Sequence, residues 1–247
     1  MTHKDIYTKF MIEYDKANVT SSYPSLTEYE VATVLDKAYN ALIAQKITGN
    51  NVRRATFESD VKSIADIEPL VRRTTITLTQ DPNITNAKQG TLPTSMLYFI
   101  KAYIEQTVSS TPMDGKKTRN LPITLVSHDT ATKFYSSASN LPWVKNPVCF
   151  IEDGNIHVVH DPIKTPSNNC SVVYIKEPNP FAKDLAKPSS GWVSYFDWSG
   201  NTVPPAYEFE CNSTVAEELI SLAVAFALEN VESTRLNSKL NMRGLEA

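Results

Sequence analysis

The residues of this sequence best suited to chemistry are His157, His160 and Asp161, with a second histidine-aspartate pair at His128 and Asp129. Imidazole nitrogens and carboxylate oxygens are ligands of zinc and other divalent ions. A shared ion is disfavoured here, because residues 157 and 160 lie in a predicted strand and side chains on a strand alternate between its two faces. We therefore expect these residues to have structural roles, with Asp129 stabilising a helix start. A metal-dependent hydrolase using His157, His160 and Asp161 is the alternative.

The rest of the sequence lacks the pattern of an active site. The cysteines, Cys149, Cys170 and Cys211, have no CxxC or Cys/His spacing, and a thiol within a strand is usually a small buried apolar group. No nucleophile elbow, Walker A loop or dinucleotide fingerprint is present among the seven glycines. The sequence predicts a protein that is not an enzyme, with no catalytic residue, no metal and no cofactor.

Composition narrows the class of protein further. The chain has 247 residues and a net charge of −3, which excludes a polybasic protein that wraps nucleic acid. The N-terminal segment MTHKDIYTKFMIEY has no apolar run typical of a signal peptide. The longest apolar segment, residues 219–228, is too short to span a bilayer. We therefore expect no contact with a membrane, and the odd cysteine count favours a reducing compartment.

Three N-terminal segments have helical periodicity, at residues 3–15, 25–48 and 56–68. In the second, Ser25 and Glu28 have the spacing of a capping box. Apolar residues recur on one face of each segment. The residues expected to face inward are Ile6, Phe10 and Tyr14 in the first, Val31, Leu35, Ala38 and Leu42 in the second, and Phe57, Val61 and Ile64 in the third.

The middle of the chain has the alternation and turn residues of strands. A helical turn is predicted at 94–99 and a short helix near 128–138, capped by Ser127. Asp153-Gly154 is the strongest hairpin signal. The predicted strands are 74–80, 100–110, 121–126, 148–152, 156–160 and 171–176, with reversal near Asp114-Gly115 and a further hairpin from 192–198 to 207–210.

The C-terminal part consists of an apolar helix, predicted over 214–232, and a polar segment after it. LISLAVAFAL (219–228) is apolar on every side, so we expect neighbouring elements to surround it. The segment 233–247 carries regularly spaced basic and leucine side chains: Arg235, Leu236, Lys239, Leu240 and Arg243. It either continues the helix, forms an arm that orders on a partner, or is a disordered tail. Of these, we predict the partner-binding arm.

The sequence thus predicts an α+β fold, a discontinuous helical bundle with an inserted antiparallel β-rich domain and a C-terminal arm. The expected parts are an N-terminal helical part of the bundle (1–72), the β-rich domain (73–210), the C-terminal bundle helix (211–232) and the extended arm (233–247).

Four segments resemble structural proteins of crAss-like and related short-tailed bacteriophages. They are residues 15–51, NPVCFIEDGNIHVVHDP (146–162), SVVYIKEPNPF (171–181) and ELISLAVAFALENVESTRLNSKLNMRGLEA (218–247). The arrangement is similar to the head-to-tail connector, or adaptor-ring, proteins of podoviruses, in which a helical bundle carries a β domain. In those proteins the C-terminal segment reaches toward the portal.

The resemblance implies a virion structural protein, assembled in the host bacterial cytoplasm and located in the phage neck. It implies a homo-oligomeric ring, expected to be twelvefold. The implied partners are the portal protein, a neighbouring connector ring, tail proteins and, non-specifically, the genomic DNA in the channel. A DNA-binding accessory protein is a further alternative, which strong salt-dependent DNA affinity of the monomer would favour.

Overall fold

The structure is a computed structural model that describes residues 1–17, 26–48, 61–107, 118–136, 140–143, 145–161, 166–183, 193–194 and 209–230. The fold is mixed α/β. Residues 1–70 and 178–247 form one compact unit and residues 71–177 form another. We call these the helical unit and the β unit. The β unit ends at Glu177 in this division, whereas the sequence predicts a β-rich domain that extends to residue 210.

The described residues of the helical unit form four helices drawn from both ends of the chain. They are α1 (His3–Ala17), α2 (Glu28–Thr48), α3 (Val61–Ile67), followed by a 3₁₀ turn (Glu68–Leu70), and α5 (Ser213–Asn230). Two short strands, β9 (Ala182–Lys183) and β10 (Val193–Ser194), pair antiparallel in the same unit. Helix α5 contacts both α1 and α2.

The apolar faces predicted for α1 and α2 are confirmed. All seven predicted residues are buried: Ile6, Phe10 and Tyr14 of α1, and Val31, Leu35, Ala38 and Leu42 of α2. Helix α5 is buried almost all round, as its uniformly apolar sequence predicts, with eleven buried residues between Val215 and Leu228. These three helices bury their faces because the spacing of three to four residues matches the helical repeat.

The start of α2 and the inward face of α3 differ from prediction. The capping box of α2 is formed by Thr27 and Glu30: the Thr27 N–H donates to the Glu30 carboxylate at 2.7 Å, and the Glu30 N–H donates to the Thr27 hydroxyl at 3.3 Å. Ser25 lies outside the described residues. In α3, Val61 is 82% exposed and Ile64 is 40% exposed, so the inward orientation predicted for these two residues is wrong. Phe57, the third predicted inward residue, lies outside the described residues. Polar Asp66 takes the buried position instead, because it binds a buried lysine described below.

In the part of the β unit that the structure describes, an eight-stranded sheet is accompanied by one helix, α4 (His128–Ser136). Its strands in chain order are β1 (Val71–Thr77), β2 (Thr79–Gln80), β3 (Ala87–Thr91), β4 (Met96–Thr107), β5 (Thr118–Leu125), β6 (Val148–Glu152), β7 (Asn155–Val159) and β8 (Asn169–Lys176). In space they follow the order β1-β8-β4-β5-β6-β7-β3-β2.

The predicted antiparallel sheet is wrong at one pairing, because β5 and β6 run parallel, with Thr124 opposite Val148 and Leu125 opposite Cys149. The chain between them passes through α4, and a crossover through a helix returns the next strand in the same direction. The prediction of this helix is confirmed, and the hydroxyls of Ser127 and Thr130 lie 3.0 Å apart at its start.

The sheet curls so that its two ends meet. Strands β1 and β2 stand at opposite ends of the strand order, yet Leu78 alone separates them in the chain. Leu78 is fully buried, and its N–H donates to the Asn168 carbonyl at 2.7 Å. Side chains from strands around the sheet fill the interior with one apolar cluster: Ile76, Leu78, Leu92, Ala102, Ile104, Ile123, Cys149, Ile156, Val158, Cys170, Val172 and Tyr174.

The hairpin predicted at Asp153-Gly154 is confirmed, with φ of 48° and 70° at the two turn residues, and so is the strand over 171–176. The helical turn predicted at 94–99 is wrong from Met96 on, where β4 is already extended and pairs with β8. Strand β10 pairs with β9, and Phe209 and Glu210 are not in a strand. The remainder of the 192–210 hairpin and the reversal at Asp114-Gly115 lie outside the described residues.

Candidate functional site

The structure separates the two histidines of the predicted metal motif. Interior positions of β7 are occupied by Ile156 and Val158, so His157 lies on the outer face and His160 follows the interior alternation. The Nδ1 atom of His160 lies 2.9 Å from the Asp161 carbonyl oxygen. Within the described ranges, no group of three His, Cys, Asp or Glu residues could hold a metal ion. Among the described residues, His157, His160 and Asp161 therefore do not form a shared set of metal ligands.

The partner of His157 is an aspartate that the sequence analysis missed. Nδ1 of His157 lies 2.6 Å from Oδ2 of Asp81, and both residues are buried. The imidazole stacks on the ring of Phe150, with centroids 4.8 Å apart and an interplanar angle of 9°. His128, the other predicted histidine, meets the same phenyl ring edge-on at 5.4 Å. These contacts fix the His157 ring by packing and by one strong hydrogen bond.

Asp81 is itself held by the turn that follows β2. Its Oδ1 accepts the backbone N–H groups of Asn83 at 2.8 Å and Ile84 at 3.1 Å. Burial alone would raise the pKa of Asp81, but the hydrogen bonds from His157 and these backbone groups outweigh it and leave the pKa below its usual value. The Asp81 carboxylate thus closes the turn and connects it to β7, and no described nucleophile is hydrogen-bonded to Asp81 or His157.

Cys149 and Cys170 are buried and Cys211 is half-buried, and none of the three thiols is activated. Burial raises the pKa of Cys149 to about 12 and that of Cys170 to about 11, and both belong to the apolar interior of the sheet. Burial also raises the pKa of Cys211 to about 11, and its sulfur lies 3.2 Å from the Tyr39 hydroxyl. A thiol with a raised pKa is a poor nucleophile because little thiolate forms at neutral pH.

A cluster of buried charges in the helical unit is a second feature that the sequence analysis missed. Nζ of Lys46 lies 2.6 Å from Asp66 and 2.8 Å from Glu218, while Lys62 reaches Glu218 at 2.9 Å. Asn212, which caps α5 through the Val215 N–H, also donates to Asp66 at 3.0 Å. The cluster ties α2, α3 and α5 together. Glu218 thus has ion-pair partners beyond the helix-dipole role suggested by its position.

The five side chains predicted to bind a partner, Arg235, Leu236, Lys239, Leu240 and Arg243, lie outside the described residues. The described part of α5 ends at Asn230. No described helix combines the length and apolar character needed to cross a bilayer.

Comparison with known proteins adds no identification, because no protein-family model and no curated protein matches this sequence.

Proposed function

We propose that this protein is a structural virion subunit of a ring in the head-to-tail connector of a tailed bacteriophage. Copies of the subunit would form a homo-oligomeric ring, twelvefold in the virion, around the DNA passage. One side of the ring would bind the portal protein, and the other a neighbouring connector ring or tail protein. The ring would assemble in the host cytoplasm and lie in the phage neck. Its contact with the genomic DNA would be non-specific.

The segments that resemble connector proteins coincide with framework elements of both units. Residues 15–51 contain α2, residues 146–162 contain the β6–β7 hairpin, and residues 171–181 contain most of β8. None of these segments brings together a set of metal ligands among the described residues. The resemblance is therefore concentrated in elements that pack the fold. This is expected of a structural subunit, because its function depends on its shape and its contact surfaces.

The single observation that carries the proposal is the burial of α5 within the subunit. The resembling segment starts at Glu218 inside α5, which is buried against α1 and α2. We propose that α1, α2 and α5 form the bundle of the subunit. Because the apolar surface of α5 is used within the subunit, contact with the next ring falls to residues 233–247, whose basic and leucine side chains fit an apolar groove with acidic groups.

Deletion of residues 234–247 tests the arm. The truncated subunit should remain folded by circular dichroism, because the deleted residues follow the buried helix, but it should be lost from purified virions in a complementation assay read by mass spectrometry. A matched test replaces Arg235, Lys239 and Arg243 with alanine.

The control for the triple replacement removes three positive charges from the β unit instead of from the arm. Arg73, Lys133 and Lys145 are exposed cations of the β unit, and their replacement with alanine should leave incorporation unchanged. Normal incorporation of the truncated subunit would contradict the role of the arm. Absence of the wild-type chain from virions would contradict the ring itself.

DNA affinity separates the ring subunit from a DNA-binding accessory protein. A chain with a net charge of −3 should bind duplex DNA weakly as a free subunit, because affinity for DNA comes largely from neutralised phosphates and released counterions. Tight binding by the monomer that falls steeply with salt in a fluorescence titration would favour the accessory protein.

A further inference from the structure

Lys88 is a buried lysine at one end of the interior of the sheet. Lys88, on β3, is only 6% exposed and lies opposite Val158 of β7, which belongs to the interior cluster. Its amine donates to the Pro166 carbonyl at 2.5 Å and to the side-chain oxygen of Asn168 at 2.7 Å. Burial lowers the pKa of Lys88, which favours the neutral amine, the nucleophilic form.

Asn168 is held in place by its backbone. Its carbonyl accepts the N–H of Leu78 at 2.7 Å. The residues on either side of it are also hydrogen-bonded. The Ser167 N–H donates to the Glu105 carbonyl at 3.0 Å, and the Asn169 N–H donates to the Ser167 hydroxyl at 3.1 Å. Asn168 is exposed, so a small leaving group can escape to solvent. The amide carbon is one covalent bond from the oxygen that the lysine already contacts.

A neutral base lies beside the lysine. His160 follows the last residue of β7, and its N–H donates to the Asn86 carbonyl at 2.9 Å. This bond continues the β3–β7 register by one residue, which makes His160 diagonal to Lys88 on the same face. Because Nδ1 donates to the Asp161 carbonyl, Nε2 of the neutral ring carries a lone pair. Nε2 is buried and has no hydrogen-bond partner in the described part of the chain. Burial lowers the pKa of His160, which favours the neutral imidazole.

We propose that Lys88 and Asn168 form an intramolecular isopeptide bond. The lone pair of Lys88 Nζ attacks Cγ of Asn168 to give a tetrahedral intermediate. His160 Nε2 accepts a proton from the attacking nitrogen and returns it to the amide nitrogen of Asn168, which leaves as ammonia when the Cγ–N bond breaks. One C–N bond forms and one breaks, and no oxidant or cofactor is required.

The bond would close the curled sheet covalently. It would join β3 to the segment before β8, across 80 residues of sequence, at the point where Leu78 connects the two ends of the sheet. A cross-link at this position resists separation of the strands under load. The proposal does not depend on the ring assignment.

The test is the intact mass of the purified full-length chain under denaturing conditions. The wild-type chain, after prolonged incubation in neutral buffer, should be lighter than its sequence mass by one ammonia. Protease digestion should yield a branched peptide that contains both Lys88 and Asn168. Lys88→Arg and Asn168→Ala should both restore the full mass, and His160→Gln should slow the loss of ammonia severalfold while leaving both reacting residues in place.

The control variant is Lys133→Arg, an exposed lysine of α4, which should lose ammonia as the wild type does. Cyclisation of an asparagine to a succinimide also releases ammonia, but that loss would persist in Lys88→Arg and would give no branched peptide. A wild-type chain with the full sequence mass, or a loss of ammonia that persists in Lys88→Arg, would overturn the proposal.

Discussion

The two units of this protein build their cores by different means. The helical unit surrounds an almost wholly apolar helix, α5, and fixes it with a buried cluster of charges around Lys46 and Asp66. The β unit fills the inside of a curled sheet with alternating side chains, and two of its buried charged residues, Asp81 and Lys88, lie in a turn and at the end of the sheet. Charged side chains therefore hold helices together in the helical unit and stabilise turns and connecting segments in the β unit.

The largest expected effect comes from breaking the buried charge cluster. Lys46→Met would leave the carboxylate of Asp66 buried with Asn212 as its remaining described partner, and an uncompensated buried charge costs about 3–5 kcal/mol of unfolding free energy. Urea denaturation followed by circular dichroism measures it. The control is Lys9→Met, whose partner Glu217 is exposed, with an expected cost below about 1 kcal/mol. Equal losses in the two variants would show that the cluster has no special role.

A smaller loss of stability is expected when a side chain is added where the two ends of the sheet meet. In Gly90→Ala, the new Cβ would lie 2.7 Å from Cδ2 of Leu78 and 3.2 Å from the Thr77 carbonyl oxygen. Overpacking of this kind costs about 1–3 kcal/mol of unfolding free energy. In a double-mutant cycle, the cost should be lower in a Leu78→Ala background, because the closest contact is then absent. Additive effects would contradict the close approach of β3 to Leu78.

These two sites show what the sequence could and could not predict. The faces of α1 and α2 and the hairpin at Asp153-Gly154 were predictable because residues close in sequence determine them. The pairing of Lys46 with Asp66 and the break at Leu78 depend on which distant elements pack together. The inward face of α3 was wrong because periodicity favours burying Val61, whereas an ion pair buries Asp66. Strand alternation correctly predicted that His157 and His160 lie on opposite faces. The sequence near His157 does not indicate its partner Asp81, because the two residues are 76 positions apart.

The contact between Asp81 and His157 makes the β unit sensitive to acid. The pKa of Asp81 is lowered in the folded state, so its contribution to stability is present above the unfolded-state pKa of about 3.9 and is lost as pH falls through the lower folded value. Asp81→Asn should cost about 1–3 kcal/mol at neutral pH and should flatten the decline in stability below about pH 4. Urea denaturation at a series of pH values measures both. An unchanged pH profile in Asp81→Asn would show that other carboxylates cause the decline.

The smallest expected effect is at the start of α2. Thr27→Ala removes the hydroxyl that accepts the Glu30 N–H, and loss of such a cap costs about 1 kcal/mol. Thr33→Ala is the matched control, because the Thr33 hydroxyl donates to the Tyr29 carbonyl within the helix and its loss should be close to neutral. Thermal denaturation of the two variants compares them. A larger loss in Thr33→Ala than in Thr27→Ala would place the helix start elsewhere.

We propose that copies of this chain form a ring in the phage neck, and electron cryomicroscopy of the neck of purified virions is the decisive test. We expect a closed ring of identical subunits around the DNA path, in which α5 lies inside each subunit and residues 233–247 contact the neighbouring ring. A neck whose density is fully explained by other chains, with this one absent, would contradict it.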